Sequence, residues 1–191
     1  MAHFVIPKTK GRMARLFIQP DSKQRTLTMS KPNRLSQTAA KLQSLPEFMR
    51  TFAMSKAFGG VIKYAGHSGV RFEKLSQNEC VVSIKNKKKV QNHIGGVHAA
   101  AMALLAETAT GFVFGMNVPD SKLPLIKKMD IDYVKRSSGD MRAVATLTDE
   151  QIQKIQTEEK GEVIVAVTIT DEANVEPIHA QMTWAWTAKK R

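Results

Sequence analysis

The sequence predicts an α+β fold in which a six-stranded antiparallel sheet wraps around one long central helix, with extra helices on the N-terminal side. Three observations predict it. From Ala99 to Phe114 the chain is small or apolar at nearly every position and carries one charge, Glu107. Two stretches in which apolar and polar residues alternate precede this run, and four follow it. No second long helical pattern lies among the later four, so nothing is available to make parallel crossovers, and those strands are expected to form an antiparallel meander.

In chain order, residues 1–30 hold Lys8, Lys10, Arg12, Arg15, Lys23 and Arg25 against Asp21 as their only acid. With Pro7, Gly11 and Pro20 and no sustained period, this stretch is expected to be a basic, flexible extension, and Met29 marks an alternative start. Residues 31–62 read as a helical segment. Asn33 is placed to cap a helix carrying Leu35, Ala39 and Leu42. Pro46 opens a second helix with Phe48, Met49 and Phe52, which Gly59-Gly60 is expected to stop. Both helices are expected to pack on the outside of a main domain spanning residues 63–188.

From Tyr64 the period changes to two. Val70 and Phe72 lead into the turn-like Ser76-Gln77-Asn78, and Cys80, Val82 and Ile84 follow, which predicts a hairpin. Ala, Leu and Met favour helix, so the central run is expected to start a helix near Val97 or His98, and a helix apolar on all sides is a buried one. Pro119-Asp120-Ser121 ends its exit. The later strands carry Met129, Ile131 and Tyr133; then Met141, Ala143, Ala145 and Leu147; then Val163 to Ile169; and finally Ile178 to Trp186. Asp149 to Lys160 is polar and reads as a helical excursion, while Gly139 and Asp171 to Asn174 mark turns.

Composition narrows the function classes. At 191 residues and 42% hydrophobic content the chain fits one domain plus an appendage, with a real core. A single cysteine, Cys80, excludes an intramolecular disulfide framework and suits a reducing compartment. The N-terminus lacks the continuous apolar stretch of a secretory signal, so the expected location is cytoplasmic. Glu107, two threonines, Asn117 and the glycines make the central run too polar for a membrane span. The net charge of +12 is concentrated in the first 31 residues and in Lys85 with Lys87-Lys88-Lys89. No zinc-finger spacing, helix-turn-helix pattern or aromatic ribonucleoprotein motif accompanies it, which argues against nucleic acid and suits an anionic small molecule. No Walker loop, Rossmann fingerprint or metal-ligand cluster is present, so no cofactor or metal is expected.

The stretch Asn92-His93-Ile94-Gly95-Gly96-Val97-His98-Ala99-Ala100, followed by Leu105-Ala106-Glu107-Thr108-Ala109, resembles the signature of hotdog-fold acyl-CoA thioesterases of the phenylacetyl-CoA type. In that pattern an Asn lies six residues before a His that opens the central helix, and an acid lies nine after it. Asn92, His98 and Glu107 match the spacing. Residues 64–188 match the order of elements, and the start Asn33-Arg34-Leu35 is similar to that of a related, largely uncharacterised hotdog subgroup. One departure stands out. Where the family has His-Gly-Gly this chain has His98-Ala99-Ala100, whose methyl groups narrow the approach of a thioester.

The resemblance implies an acyl-CoA thioester hydrolase, in which CoA is part of the substrate. Such an enzyme activates a water and stabilises an oxyanion. Free N–H groups at the start of the helix meet the second need, so Gly96, Ala99 and Ala100 are the candidate oxyanion or substrate-binding positions. Glu107 is the candidate base or nucleophile, its acidity weakened by apolar surroundings, and Asn92 orients water or substrate. Lys135 and Arg136 are candidate contacts for the CoA phosphates. Nine helical residues span about 13 Å and about 180° of rotation, so Glu107 cannot reach a substrate held at the His98 end of its own helix. The two are expected to meet between chains, in a homodimer or a dimer of dimers, as in similar hotdog enzymes.

Plainer roles remain open at this stage. His98 can merely cap the helix, Glu107 can pair with a lysine of the sheet, His93 can serve the loop, and Lys135, Arg136 and Lys87 to Lys89 can form a solvated face. Two other functions also fit the signature. One is a hotdog acyl dehydratase or hydratase using His98 with Glu107; the other is a non-catalytic acyl-CoA-binding protein.

Overall fold

The structure is a computed structural model that describes residues 31–189; the basic extension read at residues 1–30 lies outside the described residues. Three helices come first, α1 (Arg34–Gln43), α2 (Glu47–Val61) and α3 (Lys63–Ser68). The hairpin β1 (Arg71–Leu75) and β2 (Glu79–Ile84) leads through a 3-10 turn to the central α4 (Ala99–Gly115). Then follow β3 (Lys122–Tyr133), β4 (Met141–Thr146), α5 (Asp149–Thr157), β5 (Gly161–Asp171) and β6 (Ile178–Ala188). The six strands form one sheet in the order β1-β2-β4-β5-β6-β3, with every pair antiparallel. No helix among the described residues is long and apolar enough to cross a membrane.

β5 explains how the sheet wraps. Its first half, Gly161 to Val165, pairs with β6, and its second half, Ala166 to Asp171, pairs with β4. One strand thus turns the corner between two arms of the sheet, and α4 lies in the curl, in contact with β2 to β6. Leu105, Ala106, Ala109 and Val113 of α4 are fully buried, as are Val82, Ala143, Val165 and Met182 of the strands. At Gly111 a Cβ would stand 2.7 Å from the Trp184 ring, so only glycine lets β6 come this close to α4. The Trp184 indole N–H donates to Thr110 Oγ1 at 2.9 Å, and its ring stacks on Phe114 at 5.5 Å.

Four expectations change. β4, β5 and β6 form the expected meander, but β3 pairs with β6 at the far edge, so the chain crosses from β3 over two strands to β4. The Gly59-Gly60 pair does not end α2, which runs on to Val61. A Cβ at Gly59 would sit 2.9 Å from Gly66 Cα, so the glycine permits α3 to fold back against α2. Tyr64 accordingly lies in a helix, and the period of two begins only after Gly69 closes α3 at φ +83°. Lastly, the N-terminal helices are not external. Ala39, Met54 and Phe58 join the core, and the Phe58 ring meets Phe72 and Phe112 at 5.1 and 5.0 Å. The polar excursion is the helix α5, started by a reciprocal cap between Thr148 and Gln151.

Asn33 joins two helix ends. Its Oδ1 accepts from Ser36 N at 2.7 Å, capping α1. Its amide donates to Gly115 O and Val118 O at 2.7 and 2.6 Å, satisfying carbonyls at the C-terminal end of α4. Asn33→Ala removes the cap and leaves carbonyls unpaired near an almost buried position, so it is expected to destabilise the protein by roughly 2–4 kcal/mol. Asn33→Ser keeps a cap and loses only the α4 bonds, so its loss should be smaller. Urea unfolding of the three proteins checks the order; equal stability of Asn33→Ala and the parent would refute the double role.

Candidate functional site

Most of α4 is buried, but one stripe is not. Ala103, Glu107, Gly111 and Gly115 recur every four residues, lie on one face, and are only half-buried. The Glu107 carboxylate has no hydrogen-bond or salt-bridge partner among the described residues, and burial pushes it above the usual glutamate range. The pairing with a sheet lysine that the sequence left open is not made. Glu107 lines a cavity of about 480 Å³. Its walls come from α1, α2, α4, β3 and β6, and they are apolar apart from Arg34, Thr38, Thr108 and Glu107 itself.

The loop before α4 is built by Asn92. Its Oδ1 accepts from Ile94 N and Gly96 N at 3.0 and 3.1 Å, and its own N–H donates to Gly96 O at 2.9 Å. Gly95 sits at φ +81°, a turn conformation that L side chains disfavour. His98 is the N-cap of α4: its Nδ1 accepts from Ala100 N at 3.0 Å, and its carbonyl accepts from Ala101 N and Met102 N. The cap role is therefore filled. His93 is exposed. Three N–H groups of the first turn are thereby taken, Ala100 among them. The Ala99 N–H donates to no group among the described residues and is the one left for an oxyanion.

A second cavity, of about 300 Å³, gathers Asn92, Gly96 and Ala99 with Lys135 and Arg136. Five of the residues singled out in the sequence thus share one concavity, with Ala99 N–H beside two exposed cations. Glu107 lies in the other cavity, and neither His98 nor Ala100 lines either one. Among the described residues, no group of three or more His, Cys, Asp or Glu is placed to hold a metal ion.

Sequence reasoning missed two residues of the second cavity. The Tyr133 hydroxyl donates to Ala99 O at 3.0 Å and so fixes the first turn of α4 to the end of β3. The Ser137 Oγ is buried without a hydrogen-bond partner and also lines this cavity. The signal for Ser137 was its place directly after Lys135-Arg136, in a stretch read for its two cations alone. The α1 and α2 walls of the first cavity were missed because those helices were expected outside the domain.

The fold has many solved counterparts. A protein of unknown function from Pseudomonas aeruginosa, described as a probable thioesterase, is 24% identical, with 76% of this chain and 97% of that chain covered and a TM-score of 0.65. A thioesterase from Haemophilus influenzae is 15% identical over 65% of this chain and 82% of that one, with a TM-score of 0.54. A variant of a thioesterase enzyme from Staphylococcus aureus is 16% identical over 65% and 98% of the two chains, with a TM-score of 0.57. These likenesses establish the hotdog fold. Comparison with curated proteins finds no match. Residues 50–186, well over half of the sequence, match the family described as a domain of unknown function (DUF4442), and the chain belongs to that family.

Proposed function

We propose that the protein hydrolyses acyl-CoA thioesters at a site completed by two copies of the chain. The observation that carries this reading is Glu107, a half-buried, unpaired carboxylate on the central helix at the wall of an apolar cavity. A carboxylate left unpaired in such a place costs stability, and its raised pKa suits it to take a proton from water or to attack the thioester carbonyl itself. The thioesterase descriptions of the Pseudomonas, Haemophilus and Staphylococcus proteins support the reaction class.

The second half of the chemistry lies at the other end of α4. Ala99 N–H, at the positive end of the helix dipole, offers the oxyanion a donor, and Lys135 and Arg136 beside it suit the phosphates of CoA. Because Glu107 lies in a different cavity of the same chain, the partner's helix start would supply the oxyanion donor. The edge of the sheet supports such pairing. Among the described residues β3 has no neighbour on its outer side, and Leu123, Leu125, Met129 and Tyr133 on it are 40–51% exposed. This twelve-residue edge carries those apolar side chains among Lys127, Lys128, Asp130 and Asp132, and a second copy, with its own β3, would satisfy the unpaired backbone groups in a homodimer, or in a dimer of such dimers. The dehydratase alternative needs His98 at the substrate, but His98 lines neither cavity. A pure acyl-CoA binder has no use for an unpaired acid.

Four outcomes follow for an acyl-CoA assay with a thiol reagent. Glu107→Gln removes charge and basicity without changing shape, so turnover should fall by about 10²- to 10⁴-fold while the unfolding midpoint is kept. Near-parental turnover would make the acid structural. The base must be ionised to act, and burial raises its pKa. The rate should therefore climb with pH through a midpoint above the ordinary glutamate value of about 4.3, and a midpoint at or below that value would contradict the role.

Ala99→Pro deletes one N–H where proline is tolerated, at the first helical position, and His98 at φ −64°, ψ 143° already has the conformation a following proline demands. It should lower kcat by about 10²- to 10³-fold with the helix intact. When Ala99→Pro and Glu107→Gln chains exchange subunits, each mixed dimer holds one intact site, and about a quarter of parental activity should return. No recovery despite proven exchange would place both groups in one chain's site.

A further inference from the structure

We infer that the cavity between α4 and the N-terminal helices receives the acyl group, and that this group is an aliphatic chain of about eight to fourteen carbons. The inference rests on the hydrolase reading for its position beside Glu107, and on the cavity itself for its chemistry.

The cavity has a direction. Glu107, Gly111 and Gly115 follow one another at four-residue steps on α4, so the floor runs about 12 Å from the acid to the far end of the helix. Neither glycine raises a side chain into it. At the Gly115 end a Cβ would already stand 3.2 Å from Leu35, which makes the α1 side chain the stop of the channel. Ala57 and Phe58 of α2 form the opposite wall, and Trp184 flanks Gly111. A thioester carbonyl held at Glu107 therefore sends its acyl chain along a mainly apolar path.

Volume sets the length. A methylene takes roughly a water's share of liquid volume, about 30 Å³, so a cavity of about 480 Å³ takes at most on the order of sixteen carbons, fewer where its mouth opens to solvent. A short acyl group, or a single aromatic ring, would occupy only the Glu107 end and leave the Leu35 end empty. An apolar space of this size is stable when an apolar ligand fills it.

The test uses CoA thioethers with S-butyl, S-octyl, S-dodecyl and S-hexadecyl chains. They cannot be hydrolysed, so binding is read by calorimetry apart from catalysis, and the matching thioesters report hydrolysis. For the parent protein, affinity should rise more than tenfold from butyl to dodecyl and gain nothing further at hexadecyl. Ala57→Phe, from the α2 wall, and Thr38→Phe, from the α1 wall, should each cut the dodecyl-to-butyl ratio about tenfold in Kd and in kcat/KM. Should one variant fail to fold, the other decides, since they stand on separate helices. Affinity independent of chain length, or variants with the parental profile, would overturn the inference. Hydrolysis without chain-length dependence removes this inference and leaves the hydrolase reading standing. Chain-length-dependent binding without hydrolysis of any thioester does the reverse.

Discussion

The constraint on which the structure depends is that α4 must be covered. Seventeen residues with one ionisable side chain among them cannot face water, and a single sheet can cover such a helix only by curling. The curl still leaves one stripe open, and α1 and α2 close over part of it. The pieces of the fold that differ from a plain sheet-on-helix layer, the split pairing of β5, the glycine under Trp184 and the buried faces of the N-terminal helices, all serve this covering. Glu107 lies on the stripe that the covering does not reach, which is why it keeps partial access to solvent while its surroundings are apolar.

The position of that stripe links covering to chemistry. The small residues Ala103 and Gly111 on either side of Glu107 in the stripe place no polar group beside it, and the acid is neither paired nor fully buried. At the other end of the same helix the backbone provides the complementary charge. One element thus carries an acid in its middle and an electropositive terminus about 13 Å away, two groups useful together only when a second copy brings the end of its helix to the middle of the first.

Much of this was legible in the sequence, because the relevant signals are local. The run from Ala99 to Phe114 specifies the central helix by composition, alternation specifies the strands after Gly69, and Asn33 announces its cap. Asn92, Gly96, Ala99, Lys135 and Arg136, read in the sequence for different roles, line one cavity. What failed depends on distant contacts. The Gly59-Gly60 pair looks like a stop until Gly66 is seen against it. β3 begins at Lys122 rather than Met129, and the irregularity between Ile126 and Lys128 breaks the alternation that would have revealed it. Both Ile126 and Ile131 pack on the core, which is the mark of one extra residue between them. Ser137 and Tyr133 acquire their places only through the partners that folding brings.

The split pairing of β5 also decides where this molecule can breathe. A seam between the two arms of the sheet cannot open without breaking β5 itself, so β4, β5 and β6 make one cooperative unit whose amides exchange together at the slow limit. Trp184, in that unit, is the fixed wall of the cavity. The helices opposite are held by Asn33, by Ser55 Oγ accepting from Phe72 N and by the Phe58 cluster, none of which is a strand pairing. Of the cavity's two sides, only the helical one could move without breaking the sheet.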